Sequence, residues 1–184
     1  MATLPEFESA RLTFRRLEPG DSGFLIRLLN EPSFIEHIGD RGVRSVDDAH
    51  RYLREGPLAM YEKYGFGLWR VSRRADDEPI GMCGLLKREA LPDFDLGYAY
   101  LPEHWRQGYA FEAAQATIRD AARRFGLRRV IGIVSPGNTA SIRLLEKLGM
   151  RFERGFPQDM HEDSREPEVL LYGCALGPEG LSGA

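Results

Sequence analysis

Apolar residues spaced three and four apart predict two amphipathic helices in the second half of the chain. The longer one ends at Gly126, a common helix terminator, and its apolar positions are Phe111, Ala114, Ile118, Ala122 and Phe125. The shorter one begins after Asn138, a good N-cap, and ends before Gly149, with Ile142, Leu145 and Leu148 on one face. The compact apolar run at 127–134 between them has the length of a buried strand.

The rest of the chain predicts a sheet with hairpins early and strand–helix alternation late. Predicted strands cover 11–16, 65–73, 79–87, 93–101, 150–156 and 169–176, and helical segments cover 21–30 and 46–64, with loops at 31–44 and 157–167. This order predicts an α/β fold with a mixed sheet. Without repeats or long linkers, residues 1–184 are expected to form one domain, with a core at about 10–176 and a short flexible C-terminal tail.

The junction between the predicted strand at 93–101 and the long helix predicts an anion site. Backbone N–H groups at a helix N-terminus converge, and the helix dipole adds partial positive charge. Gly108 in the preceding loop lets a phosphate approach without a Cβ in the way. A diphosphate-bearing cofactor is therefore the expected ligand. The alternative is an ordinary strand–helix unit with a glycine turn, since short glycine motifs need supporting context.

Composition excludes several classes of protein. A net charge of −3 disfavours a protein that relies on attraction to nucleic-acid phosphates. No apolar run approaches the ~20 residues of a membrane span, and no secretory signal is visible. Cys83 and Cys174 lie in apolar, strand-like runs, which predicts reduced thiols in a cytoplasmic protein. The histidines lack ligand spacing, so no metal site is expected.

Two motifs in the same order carry a resemblance to a known family. LPEHWRQGYAFEA, followed about thirty residues later by NTASIRLLEKLGMRFE, resembles the GNAT superfamily of N-acetyltransferases. Together with the segments RLTFRRLEPGD and EPSFIEHIG, these motifs are similar to sequences of the ribosomal-protein N-terminal acetyltransferase (RimJ/RimL-like) branch over residues 11–176. The resemblance implies a mostly antiparallel sheet splayed open at the cofactor site. It also implies acetyl-CoA as acyl donor, direct attack by a primary amine in a ternary complex, and a monomer or homodimer.

The resemblance also implies which residues hold the cofactor. Asn138 is expected to reach the pantetheine or phosphate part of CoA, and its simpler interpretation as an N-cap stays open. Backbone N–H groups somewhere in Tyr98 to Leu101 are expected as oxyanion donors, and Tyr100 and Leu101 are expected to contact the cofactor. Trp105 stands where family members usually carry Gln or Arg, and we expect it on the substrate side. The diphosphate loop would be Arg106, Gln107, Gly108, Tyr109 and Ala110.

The sequence motifs indicate the catalytic residues less clearly than the cofactor-binding residues. Many superfamily members carry Tyr at the position of Leu145, so Ser141 is the candidate acid for the leaving thiolate; a small hydroxyl without a role is the alternative. Asp95, beside an apolar cleft, is the candidate base, and a solvated carboxylate or deprotonation by water are alternatives. His37 is expected to line the acceptor pocket or to pack without a role. Weaker base candidates are Asp93, Asp159, His161 and Glu162.

Three functional interpretations follow. The first is an acetyltransferase that acts on a protein N-terminus or a small-molecule amine. The second is a CoA-binding module of the same fold without turnover. The third is an unrelated nucleotide-binding domain, which the absence of a G-x-x-x-x-G-K-[ST] motif disfavours.

Overall fold

The computed structural model describes residues 6–91, 93–157 and 168–181, where nine strands form one sheet flanked by helices. The strands are β1 (Phe7–Glu8), β2 (Leu12–Arg16), β3 (Leu68–Arg73), β4 (Pro79–Lys87), β5 (Phe94–Tyr100), β6 (Arg129–Val134), β7 (Arg151–Pro157), β8 (Glu168–Gly177) and β9 (Gly180–Leu181). The helices are α1 (Ser22–Leu29), α2 (Pro32–His37), α3 (Val46–Leu53), α4 (Ala59–Tyr64), α5 (Tyr109–Phe125) and α6 (Thr139–Lys147). Short 3₁₀ turns cover Pro19–Asp21 and Pro102–His104.

The sheet is open between its two central strands. Its order is β1-β2-β3-β4-β5-β6-β8-β7, with β9 beside β8. The β5–β6 pair is parallel and the other pairs are antiparallel. Among the described residues, β5 and β6 are in register only at Asp95 and Ile131, so the strands diverge toward their C-terminal ends. The predicted mixed, mostly antiparallel and splayed sheet is confirmed.

Helices cover both faces of the sheet. Leu68 and Met82 belong to the core beneath α1 and α3, whereas their neighbours Trp69 and Cys83 belong to the core beneath α5. Successive strand residues point to opposite faces, so strands covered on both sides must be apolar almost throughout. This explains why β3 and β4 read as apolar runs rather than as alternating patterns.

The predicted helix signals in the second half of the chain are confirmed. Gly126, after α5, and Gly149, after α6, have φ of 66° and 83°, in the left-handed region that glycine adopts without strain. At the start of α6, the Asn138 side chain accepts a hydrogen bond from the Ser141 backbone N–H. Local chemistry therefore explains the end of α5 and both ends of α6.

Three parts of the secondary-structure prediction were wrong. Residues 31–44 are not all loop, because α2 forms there; with Pro32 in its first turn and Phe34 as its buried residue, it is too short to show a helical period. The predicted helix at 46–64 is interrupted by a π-helical turn, Arg54–Leu58, which contains Pro57. The short strands β1 and β9, which pair with β2 and β8, were not predicted.

None of the helices in the described ranges combines the length and apolarity that a bilayer span requires.

Candidate active site

The loop before α5 carries two residues with left-handed backbone. Gly108 has a φ of 81° and Arg106 has a φ of 59°. Glycine adopts this region freely, whereas a side chain there costs about 1–2 kcal/mol. Such strain at a non-glycine residue is concentrated at functional sites. Arg106 therefore marks this loop as a place where the fold imposes a specific backbone geometry.

The same loop presents unpaired backbone donors. Over the described residues, no protein acceptor pairs with the N–H groups of residues 106–111. The first paired amide of α5 is that of Glu112, which donates to the Gly108 carbonyl at 3.1 Å. Successive N–H groups around left-handed residues form an anion-binding concavity, and the α5 dipole adds to it. The predicted anion site thus has both the donors and the shape it needs.

Three side chains, which we call the loop clamp, tie this loop to the start of β2: Ser9, Arg11 and Glu112. One Glu112 oxygen accepts from the Ser9 hydroxyl and from the Arg11 backbone N–H, each at 2.7 Å, and the other accepts from Arg11 Nε at 2.7 Å. Arg11 also donates to the Gln107 carbonyl at 3.0 Å, and its Cζ lies 4.5 Å from the centre of the Tyr109 ring. The clamp therefore contacts the loop from outside and leaves its amides free.

The protonation of Glu112 agrees with this arrangement. Burial acts to raise the pKa of Glu112, but hydrogen bonds from Ser9 and Arg11 outweigh it and leave the pKa lowered. Glu112 is therefore ionised at neutral pH. The clamp was not predicted from the sequence, because its partners are about a hundred residues apart and nothing local connects them.

A cavity of about 650 Å³ runs from this loop through the opening of the sheet. Gly97, Tyr98, Ala99 and Tyr100 line it from β5, and Val134 lines it from β6. Its far end is lined by Phe34 and His37 of α2 and by Tyr52 of α3. The volume falls within the ~300–1,000 Å³ of small-molecule sites.

Most of the predicted site residues line this one cavity: His37, Tyr100, Trp105, Arg106, Gly108, Tyr109, Ala110, Asn138 and Ser141. Trp105 is 47% exposed, and its indole N–H donates to the Tyr100 carbonyl at 2.8 Å. That bond secures the loop entrance to the end of β5. Leu145, by contrast, faces the core at 1% exposure and does not line the cavity.

One predicted cofactor contact, the Leu101 amide, needs correction. Leu101 is 1% exposed and its N–H donates to the Ile80 carbonyl, so this amide is not available to a ligand. Gln107 does not line the cavity: its side chain donates to the Glu103 carbonyl at 3.1 Å and its own carbonyl accepts from Arg11. What Gln107 offers a ligand is its backbone N–H.

Asp95 is buried, and hydrogen bonds occupy both oxygens of its carboxylate. Its side chain is buried, at 3% exposure, and Oδ2 accepts from Arg88 Nε at 2.9 Å. Oδ1 accepts from the Ile133 backbone N–H at 3.3 Å, which bridges β5 and β6 just beyond their last register pair. The carboxylate thus replaces a sheet hydrogen bond where the strands diverge. The alternative of a solvated Asp95 is wrong, and the geometry gives no support to its predicted role as base.

Tyr98 is a candidate residue that the sequence analysis missed. Its phenol interacts with the Ser141 hydroxyl, which brings two proton donors together across the gap between β5 and α6. Burial raises the pKa of Tyr98, and the Ser141 hydroxyl acts in the opposite direction. Tyr98 is therefore a neutral hydrogen-bond donor at physiological pH. Its position on the predicted strand before the loop was the only signal that could have pointed to it.

The weaker base candidates gain no support from the structure. Asp93 accepts from Arg129 Nε at 2.9 Å, in an ion pair away from the cavity. Asp159, His161 and Glu162 lie outside the described residues. Within the described ranges, no cluster of His, Cys, Asp and Glu could hold a metal ion.

Comparison with known proteins places this site in a family. Residues 11–151 match the family model described as an acetyltransferase (GNAT) domain. The chain belongs to the GNAT acetyltransferase family. Because the matched region includes β5, the loop, α5 and α6, the family assignment covers the whole cavity wall described above. The protein is thus an acetyl-CoA-dependent acetyltransferase, as the sequence predicted.

Individual relatives agree with the family. The chain is 27% identical to a protein of Bacillus subtilis (strain 168) named an uncharacterized N-acetyltransferase, YoaA, over 91% of this chain and 95% of that protein. The structure is similar to RimL, a ribosomal L7/L12 alpha-N-protein acetyltransferase in complex with CoA, with a TM-score of 0.77 at 18% identity, covering 91% and 95% of the two chains. It is also similar to a ribosomal-protein-S5-alanine acetyltransferase from Vibrio fischeri, with a TM-score of 0.76 at 17% identity, covering 92% and 95%. At these identities the solved structures support the fold alone.

The residues present fit the cofactor that the family binds. Free amides at 106–111 match a diphosphate, and the opening between β5 and β6 admits a narrow chain such as pantetheine. Asn138 and Ser141 line the wall of that opening from α6.

Proposed function

We propose that the protein transfers an acetyl group from acetyl-CoA to a primary amine, by direct attack in a ternary complex. One observation carries the proposal: a single cavity connects the free amides of the loop, the opening of the sheet and the space beneath α2 and α3. An acyl donor held at the loop and an acceptor entering beside α2 would meet between β5 and α6. A covalent acyl-enzyme intermediate is not needed, and Cys83 is fully buried with its thiol pKa raised by burial to about 11.

The chemistry divides among groups of this chain. Acetyl-CoA supplies the acyl group, activated as a thioester. Backbone N–H groups of β5 at the opening are the proposed donors to the developing oxyanion, with Tyr100 now taken as the last of them because the Leu101 amide is paired. Ser141, with Tyr98 beside it, is the proposed source of the proton for the departing thiolate.

The amine needs to lose a proton, and we propose that solvent takes it. Asp95 is committed to Arg88 and to the Ile133 amide, so a base at this position would have to break the bridge between β5 and β6. His37 lines the acceptor end of the cavity and is proposed as a contact for the acceptor.

A protein N-terminus is the first acceptor to test. Two structurally similar proteins are named as acetyltransferases of ribosomal proteins, and side chains of α2 and α3 line the end of the cavity away from the loop. Small-molecule amines are the second class, because an acceptor pocket is set by side chains and not by fold.

A thiol-release assay separates turnover from binding alone. The protein is incubated with acetyl-CoA and a panel of peptides, amino acids, polyamines and aminoglycosides, and free CoA is followed by absorbance. Release of CoA with one acceptor class, reduced in Ser141→Ala, supports the proposal. Stabilisation by CoA without release for any amine would favour the alternative, a CoA-binding module without turnover.

A further inference from the structure

The far end of the cavity is lined by the second hydrophobic core of the protein, the one beneath α1 and α3. Four buried side chains of this core and two half-buried ones form part of the cavity wall: Leu28, Phe34, Leu68, Met82, Ile38 and Leu86. Core residues normally pack against one another and leave few voids. Here one side of the core faces the cavity, and we call this end of the cavity the apolar pocket.

Two small residues of β5, Gly97 and Ala99, also line the apolar pocket. A Cβ added to Gly97 would lie 2.9 Å from Leu86 Cδ1 and 3.3 Å from Leu68 Cδ2, so Gly97 lies on the same side of the sheet as those side chains. Ala99 pairs with Met82 between β4 and β5 and packs against the same core. The absence of larger side chains at both positions leaves room over β5 for a ligand group.

The apolar pocket adjoins the proposed reacting centre. Tyr98 lies between Gly97 and Ala99 in β5, but its side chain packs on the other core and interacts with Ser141. Successive strand residues point to opposite faces of a sheet. An amine that reaches the opening beside Tyr98 therefore lies next to the pocket, and the substituent closest to the amine is the group that can occupy it.

The charges at this end of the cavity disfavour an acceptor with several ammonium groups. No Asp or Glu of the described ranges lines the cavity, whereas the basic residues His37, Arg41 and Arg88 do, with Arg88 Nε 2.9 Å from an Asp95 oxygen. Burial of an ammonium group without a carboxylate beside it is costly, but burial of an apolar side chain is favourable in proportion to its area. The lining therefore favours an apolar substituent over a second cation.

We infer that the acceptor carries a large apolar side chain beside its amine, and that this side chain binds in the apolar pocket. The inference rests on the proposed function and names the acceptor class for it: an amine with a branched aliphatic, thioether or aromatic substituent, as in a peptide that begins with Leu, Met or Phe. Ile38 and Leu86 are the specificity-determining residues best suited to a test. Both are half-buried, so they can be shortened without emptying the core.

A peptide series that differs only in its first residue tests the inference, with kcat/KM measured by release of CoA. Peptides that begin with Leu, Met or Phe are expected to exceed those that begin with Ala, Ser or Lys by at least about tenfold, because one methylene group in an apolar pocket already discriminates by roughly 10–200-fold. Leucinamide distinguishes the two sources of such an amine. A rate like that of the Leu peptide indicates a small molecule, and reaction of the peptide alone indicates a chain terminus. Either result supports the pocket, whereas a faster reaction of spermidine would overturn it.

Variants of the pocket wall locate the preference. Ile38→Ala and Leu86→Ala should each lower kcat/KM for the Leu peptide by about tenfold and for the Ser peptide by less than about twofold, with CoA affinity unchanged. Ile26→Ala is the matched control, because Ile26 is a half-buried residue of the same core that does not line the cavity. It should leave the ratio of Leu to Ser peptide unchanged.

Two kinds of failure are distinguishable. Equal kcat/KM for Leu and Ser peptides in wild type, or the same change of their ratio in Ile38→Ala and Ile26→Ala, would overturn the pocket while leaving the proposed function in place. Absence of CoA release with every amine would overturn the pocket and the proposed function together.

Discussion

The loop clamp predicts that a carboxylate outside the cavity controls affinity inside it. Replacing Glu112 by Ala removes three hydrogen bonds, from the Ser9 hydroxyl, the Arg11 N–H and Arg11 Nε. Bonds to charged groups contribute about 1.5–3 kcal/mol each when shielded, but the Arg11 side chain is 48% exposed. Discounting for solvent, we expect a loss of about 2 kcal/mol in the free energy of unfolding.

The effect on ligand binding follows from the strained loop. Without the clamp, Arg106 can leave the left-handed region, and binding must then restore it at about 1–2 kcal/mol. CoA should therefore bind about five- to thirtyfold more weakly, measured by calorimetric titration of the folded variant. In the double variant Arg11→Ala/Glu112→Ala, the two losses should be less than additive, because both residues belong to one network.

A matched ion pair provides the control. Arg123 and Glu179 form a similar Arg–Glu contact, 58% and 73% exposed, at the other end of α5. Arg123→Ala/Glu179→Ala should change neither stability nor CoA affinity appreciably. If Glu112→Ala lowers the melting temperature but binds CoA within twofold of wild type, the loop does not depend on the clamp and the reasoning fails.

The lowered pKa of Glu112 gives a pH test of the same clamp. A carboxyl whose folded pKa is depressed contributes stability above its ordinary pKa, near 4.5, and loses that contribution as the pH falls through the folded value. The difference in unfolding free energy between wild type and Glu112→Gln should therefore be largest above the ordinary pKa and should shrink as the pH falls from there through the lower, folded pKa. A difference independent of pH would mean that the ion pair contributes nothing.

Three further predictions address the chemistry. Ser141→Ala and Tyr98→Phe should each lower kcat and leave CoA affinity unchanged. The variant that lacks the proton donor should lose about tenfold or more in kcat. Normal turnover in both variants would refute the proposed roles of Ser141 and Tyr98. Asp95→Asn should lower the free energy of unfolding by about 1–3 kcal/mol, because Arg88 loses a charged acceptor, and should leave the pH profile of kcat/KM unchanged. A lost acidic limb in that profile would restore Asp95 as the base. Cys83, with its thiol pKa near 11, should resist iodoacetamide in the native protein and react only after unfolding, and rapid native labelling would contradict the buried assignment.

Local signals predicted the elements that line the cavity. The apolar spacing of α5, the Asn138 cap of α6 and Gly108 all act within a few residues, so the sequence contains the information directly. Helix α2 lacks such a signal because Phe34 is its one buried residue. β1 depends on a long-range contact instead: Phe7 stacks on Phe14 at 4.3 Å, which no local pattern specifies.

The residues of the site also separate into those that the local sequence predicts and those whose environment depends on long-range contacts. The free amides of the loop before α5 were predictable because they are consecutive in the chain. Asp95 was assigned to proton transfer because an acid on a strand beside a cleft resembles a base, and its bonds to Arg88 and Ile133 appear only after the sheet forms. The proximity of Tyr98 to Ser141 likewise depends on β5 and α6 meeting across the opening. Long-range partners, rather than local chemistry, decide those roles.

The central claim is that the amides of residues 106–110 hold the diphosphate of CoA, and two glycines of one helix test it most directly. Gly108 and Gly126 lie at opposite ends of α5 with φ of 81° and 66°, so replacing either by Ala imposes a similar backbone strain. Calorimetric titration should show one CoA bound per chain, at least about tenfold weaker binding in Gly108→Ala, and wild-type affinity in Gly126→Ala. Equal CoA affinity in the two variants would contradict the assignment of this loop as the diphosphate site.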